Sequence, residues 1–400
     1  MFSLNRKVKD LVPYDPIEGT YRIRLDANES YITLPLEIKE EIAQTVKDIH
    51  FNRYPDPYAS NVCALFAKYY GVPAENVTAG DGSDELISII MNAFLQKGDT
   101  VMTLEKDFSM YSFYTSVVEC RHVPYTKNDD YSVDIDDVIA TAKKENARII
   151  IFSNPCNPTS RVIGRSDVEK LVSSVDSLVV LDEAYMDFSN QSLLSEFNRY
   201  DNLIILKTCS KAIGMAAVRL GFAVANSVLT KAMKAVKSPY NVNSVTQAIG
   251  EVVFSHPEYI DSSVKRLIEA RDDLTERLTP LCREYPDRFK IIPSETNFIY
   301  VETPEAEKIF TYLKEAGIII RKMTAGGVRI GTVYAEQVNF GKSHMKSKFC
   351  GEGKNRCLYH TIGKNISLDF VSFAGNRVYI RGFQRSFCHF PIGLFNGKKR

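Results

Sequence analysis

Apolar positions along this 400-residue chain follow two rhythms. Short unbroken apolar runs, Ile149–Phe152, Leu178–Leu181 and Leu203–Leu206, each lead into a polar turn. Runs of that length and kind predict strands covered on both faces, the habit of a parallel sheet. Between and around them apolar residues return at helical spacing: through Leu36–Val46, after the Pro-fixed loop that holds Tyr54, from Leu86 to Leu95, and from about Val264 to Cys282. The alternation predicts βαβ units and an α/β fold with a mostly parallel sheet flanked by helices. Further on, Ile291–Val301 alternates as one strand, and Gly317–Lys322 and Gly327–Thr332 predict two more. The chain is long for a single core, so these later strands are expected to form a smaller α+β domain.

The chemistry sits where the apolar runs stop. After Leu203–Leu206 comes LKTCSKAIGMAAVRLG, with Lys211 behind Thr208 and Ser210 and ahead of Arg219. A lysine amine condenses with an aldehyde, and two hydroxyls with a guanidinium bind a phosphate. An aldehyde that carries a phosphate is pyridoxal phosphate (PLP). Upstream, VVLDEAY ends a strand in Asp182, whose carboxylate suits a protonated pyridine nitrogen, with Tyr185 in reach of the ring's phenolate oxygen. IIIFSNPCNPTS places Asn157, an amide donor for the same oxygen, after another strand. Each has an ordinary alternative: a surface lysine, an Asp that caps a helix, an Asn-Pro turn. Three such residues, each after an apolar strand, favour the cofactor. VTAGDGSDE adds a glycine turn into a helix, where the N–H groups of Gly82, Ser83 and Asp84 make an anion site, unless Ser83 or Asp84 merely caps.

With these segments in view, the chain resembles the fold-type I PLP-dependent aminotransferases, and among them the histidinol-phosphate aminotransferases. The family's NNPTG reads CNPTS here, DEAY is intact and TLSKA reads TCSKA, with a match from about Val12 to Phe340. It departs at Cys156, Ser160, Cys209 and Ala217, where the family usually has Asn, Gly, an apolar residue and Gly. The resemblance implies a fold-type I PLP transferase acting as a homodimer with shared active sites. It divides the chain into an arm at residues 1–45 that joins the small domain, a large PLP-binding domain at 46–245 and a small domain at 246–340. It also implies a long helix after the Pro239-Tyr240-Asn241 turn. By the same resemblance Phe108 stacks on the pyridine ring, and Tyr54 reaches the PLP phosphate of the neighbouring subunit. Tyr14 and Arg321 meet a substrate phosphate, Asn28 lies near the substrate, and Arg329 forks onto a carboxylate. The expected reaction transfers the amine of L-histidinol phosphate, a phosphorylated amino alcohol, to 2-oxoglutarate, giving glutamate. Aromatic transamination and threonine-phosphate decarboxylation are alternatives on the same scaffold.

Composition adds limits. An apolar fraction of 44% is that of a globular protein, and no apolar run is long enough to span a bilayer. Eight cysteines without CxxC pairs argue against a metal site or a disulfide framework, so a cytoplasmic setting is expected. The net charge of +1 hides an asymmetry, because residues 341–400 carry twelve basic and two acidic side chains. This atypical basic tail lacks helical period and reads as an out-of-frame, disordered extension; a nucleic-acid-binding protein led by its tail is the less favoured alternative.

Overall fold

The computed structural model describes residues 2–9, 11, 16–323 and 326–332, and the backbone of 371–374 and 377–380. Met1–Gln337 makes one compact unit and Val338–Arg400 another. In the first, the strands in chain order are β1 Ile23–Leu25, β2 Val77–Asp81, β3 Thr100–Leu104, β4 Arg121–Tyr125, β5 Ala147–Ser153, β6 Leu178–Asp182, β7 Leu203–Thr208 and β8 Leu220–Ala225. After a helical stretch come β9 Lys290–Ile292, β10 Phe298–Glu302, β11 Ile318–Met323 and β12 Gly327–Gly331. No helix among the described residues is long and apolar enough to cross a membrane.

Seven strands form one sheet in the order β2-β8-β7-β6-β5-β3-β4. From β4 to β7 every pairing is parallel, and β8 alone runs against its neighbours. Strands β6, β7 and β8 are buried on both faces, which is why β7 and β8 show no polar alternation. Odd-numbered β6 and β7 residues such as Leu181 and Ile205 meet helices Ser60–Tyr70, Ile135–Lys144 and Arg165–Ser174; even-numbered ones such as Val180 and Leu206 meet Gly82–Phe94 and Met110–Val117. Phe66 stacks on Phe222 with centroids 4.0 Å apart, and Phe254 meets both rings edge-on. Truncating a buried aromatic of this kind costs about 3–5 kcal/mol. Side-chain caps start several helices: Asp134 accepts from the N–H of Asp136 and Asp137, and Asn226 from those of Val228 and Leu229.

The second sheet has the order β1-β11-β12-β10-β9. Here β1, from the start of the chain, pairs in parallel with β11, and the remaining pairings are antiparallel. Helix Ala306–Glu315 packs on β11 and β12. Two expectations need correction. Ile291–Val301 is not one strand but a hairpin, with Tyr300 opposite Ile292. Pro293 breaks the run, and the hydroxyls of Ser294 and Thr296 turn the chain by bonding to the Phe298 carbonyl. The long helix expected after Asn241 is interrupted: Ser244–Phe254 ends, and Pro257–Glu284 begins with proline at its start, where its missing N–H costs nothing.

In the second unit, the strand Val371–Ala374 pairs antiparallel with Arg377–Ile380. Apart from those residues, the expectation of a tail without regular structure falls outside the described residues.

Candidate active site

Parallel strands end together, and three neighbours, β5, β6 and β7, bring Ser153, Asp182 and Thr208 to one edge of the large sheet. Such carboxyl-end edges are where open α/β sheets bind ligands.

Asp182 is buried, with Oδ2 accepting from the Tyr111 hydroxyl at 2.8 Å and Oδ1 from the Ala184 N–H at 3.1 Å. Burial pushes its carboxyl up to about 7, although these two bonds offset part of the rise. Among the described residues no lysine or arginine pairs with it. Tyr111 is absent from the sequence-based site. The signal was present, since it lies three residues beyond Phe108 at the start of Met110–Val117, and residues so spaced on a helix are neighbours. The Phe108 ring meets it edge-on at 5.5 Å.

Lys211 sits on the turn after β7, its Nζ donating to the Ala27 carbonyl at 3.1 Å and lying 6.0 Å from the centre of the Tyr185 ring. Gly214 allows this turn to close. Its φ is +75°, and an added Cβ would stand 3.1 Å from the Ser30 Cβ. The Tyr185 hydroxyl accepts from Asn28 Nδ2 at 2.9 Å, so its own proton is left for another acceptor. Asn28 is itself held by Asn297, whose Nδ2 donates to the Asn28 carbonyl at 3.1 Å, and the buried Asn28 Oδ1 has no partner among the described residues. Asn157 Oδ1 accepts from Arg329 Nη1 at 2.6 Å, which turns the amide so that Nδ2 is the end offered elsewhere. The other Nη of Arg329 donates to the Asp26 carbonyl. Arg321 stands directly opposite Arg329 in the β11–β12 pairing, two like charges side by side.

The loop that carries Asn157 is pinned to the loop before Phe108. The Ser153 hydroxyl donates to Asp107 and accepts from the Asn157 N–H at 3.0 Å, and the Cys156 thiol contacts the Lys106 carbonyl at 3.4 Å. Ser160, where the resembling family usually has Gly, takes the left-handed φ of +60° and anchors its hydroxyl to the Pro293 carbonyl at 3.2 Å. For a residue with a Cβ that conformation costs about 1 kcal/mol.

The glycine turn lies at the end of β2. Helix Gly82–Phe94 starts without a side-chain cap, so neither Ser83 nor Asp84 takes up its first N–H groups in that way. Gly82 has φ +76°, and a Cβ there would fall 2.6 Å from an Arg219 guanidinium nitrogen. Gly221 lets β8 pass close, since its Cβ would lie 2.6 Å from the Gly82 carbonyl carbon. Arg219 Nη2 is 3.6 Å from Asp84 Oδ2, and the Ser210 N–H donates to Thr208 Oγ1 at 3.2 Å. Uncapped N–H groups, two hydroxyls and a guanidinium in a cradle with no room for a Cβ fit a phosphate. The buried Asp182, held among the described residues by neutral donors alone, fits a protonated ring nitrogen.

Two sequence-predicted residues stand apart. Tyr54 is 81% exposed and stacks on Tyr240 with centroids 4.6 Å apart. Tyr14 lies outside the described residues.

The aminotransferase class I and II family model matches residues 21–338. A histidinol-phosphate aminotransferase from Clostridium kluyveri is 39% identical over 324 residues, 81% of this chain and 91% of that protein. One from Clostridium novyi is 40% identical over 319 residues, 80% of this chain and 88% of that protein. Among solved structures, histidinol-phosphate aminotransferase from Sinorhizobium meliloti in complex with pyridoxal-5'-phosphate matches with a TM-score of 0.74 at 23% identity, covering 83% of this chain and 94% of that one, a likeness of fold. An edge of parallel strands that gathers Asn157, Asp182 and Lys211 beside a phosphate-shaped cradle is thus accounted for: the chain belongs to the aminotransferase class I and II family.

Proposed function

We propose that this aminotransferase transfers the amine of L-histidinol phosphate to 2-oxoglutarate, giving imidazole acetol phosphate and glutamate, a step of histidine synthesis in the cytoplasm. The observation that carries the substrate is identity of 39–40% to histidinol-phosphate aminotransferases across about nine-tenths of their length. PLP, when bound, supplies an aldehyde for the substrate amine and a pyridinium that accepts electrons. Lys211 Nζ removes the proton from the substrate carbon and returns it one position along, as general base and then acid. Asp182 keeps the ring nitrogen protonated. The Tyr185 hydroxyl and Asn157 Nδ2 donate to the phenolate oxygen, an orientation supported by the contacts of Asn28 and Arg329.

Thr208, Ser210, Arg219 and the N–H groups of Gly82, Ser83 and Asp84 hold the cofactor phosphate, and Phe108 covers the ring. Arg329 takes the glutamate carboxylate, while Arg321 and Tyr14 meet the far phosphate or carboxylate, with Asn28 beside the substrate. The active form is a homodimer in which Tyr54 reaches the neighbour's phosphate, a reading supported by its exposure in the single chain. A domain division at residues 45, 245 and 340 is supported by the confinement of the large sheet to Val77–Ala225.

A half-reaction screen tests the substrate. L-histidinol phosphate, L-phenylalanine and O-phospho-L-threonine are added separately to the holoenzyme while the visible cofactor band is followed. Histidinol phosphate should convert the band at the lowest concentration. A stronger response to phenylalanine, or release of carbon dioxide from phosphothreonine, would overturn the assignment.

A further inference from the structure

We infer that Tyr111 is a positioning residue, whose hydroxyl fixes the Asp182 carboxylate in the orientation that receives the ring nitrogen of the cofactor. The inference rests on the assignment of Asp182 made above.

Tyr111 is 1% exposed, and a phenol hydroxyl in such a place needs an acceptor. It has one: Asp182 Oδ2 at 2.8 Å. The ring is held from outside this bond, edge-on to Phe108 and within the apolar cluster of Leu86, Ile87 and Ile90. The Tyr111 N–H and carbonyl are also engaged, with the Phe108 carbonyl and the Thr115 hydroxyl. The hydroxyl is therefore placed by the fold, and the carboxylate is placed by the hydroxyl.

Asp182 depends on this bond because little else supports its charge. Among the described residues its second oxygen has the Ala184 N–H alone, and the charged groups that raise it, Asp107 and Asp84, are acidic. Without the Tyr111 hydroxyl, Oδ2 loses its partner among the described residues and the carboxyl turns toward its protonated form. A protonated carboxyl presents a donor where the ring nitrogen needs an acceptor. Loss of a hydrogen bond to a charged group changes an equilibrium by about tenfold or more.

The test uses apoenzyme and two ligands: PLP, and its carbocyclic analogue with C–H in place of the ring nitrogen. Dissociation constants are measured for each by titration. Wild type should bind PLP more tightly than the analogue, by about tenfold or more. Tyr111→Phe should weaken PLP by about tenfold and leave the analogue unchanged, so that the preference collapses. Tyr111→Leu should do the same, and serves if the first variant does not fold. Phe108→Leu, which disturbs packing but leaves the hydroxyl, should retain the preference. Equal weakening of both ligands in the Tyr111 variants would make Tyr111 a packing residue and overturn the inference. A wild type that does not distinguish the ligands would instead overturn the role of Asp182, and the inference with it.

Discussion

Asp182 and Glu183 are consecutive, both buried, and treated in opposite ways by the two sides of the sheet. Glu183 faces the side of Lys207, whose Nζ lies 3.9 Å away and 2.9 Å from Asp187 Oδ1. The Ser192 hydroxyl and the Leu193 N–H complete its shell at 2.7 and 3.0 Å, and Tyr70 donates to Asp187 at 3.0 Å. Asp182, on the other side, has two neutral donors and, among the described residues, no cation. Burying a carboxylate costs several kcal/mol unless a counter-charge is present. Where the chain provides its own cation, the charge belongs to the fold. Where it provides neutral donors alone, the fold leaves the charge without a partner of opposite sign, as the role proposed for Asp182 requires.

Breaking each side should therefore give a different readout. The largest effect expected is on rate: Asp182→Asn should lower kcat/KM by about a thousandfold, with a melting temperature of the apoenzyme no lower than wild type. Steady-state kinetics beside a thermal melt decide it, and near-normal turnover would make Asp182 structural. Next, Lys207→Met strands Glu183 and Asp187 in the interior and should cost about 3–5 kcal/mol in urea unfolding. A loss below about 1 kcal/mol would mean that the lysine does not support its neighbours.

The third effect is pH dependence. The folded pKa of Asp182, about 7, lies above the ordinary value near 4, so the fold keeps a proton that the unfolded chain has released. Its contribution to apoenzyme stability is full at low pH and is lost as pH rises, by about 2 kcal/mol between pH 5 and 7. Asp107 and Glu183, also raised by burial, act with the same sign, so the measurement is the difference in slope between wild type and Asp182→Asn. Equal slopes would remove Asp182 from the account. The smallest effect is that of Tyr70→Phe, which should cost about 1 kcal/mol of stability and leave turnover unchanged; a melt and a single assay suffice.

The contrast also marks how far the sequence could be read. As candidates, Asp182, Asn157 and Lys211 were legible because each follows a short apolar run that reads as a buried strand, and neighbouring parallel strands end together. Lys207 stands four residues before Lys211, yet nothing local shows that it is buried rather than solvated; its partners come from another strand end. The orientation of the Asn157 amide was equally hidden, since it is set by Arg329, 172 residues away. The hairpin at Pro293 was missed for a different reason: alternation was followed through a residue that cannot continue a ladder.

The links that close the site have a consequence for the order in which the protein comes to life. Asp26 meets Arg329 across 303 positions, Asn28 meets Asn297 across 269, and the Lys211 amine rests on Ala27 across 184. During synthesis the lysine turn and the phosphate cradle emerge when the large sheet is complete. The strand that brings Arg329, and with it the pairing of β11 to β1, emerges about a hundred residues later. A ribosome stalled between these points would hold a chain with the Lys211 turn made but Arg329 missing. The proposed site is thus completed late in synthesis, once β11 has joined β1 and β12 has joined β11.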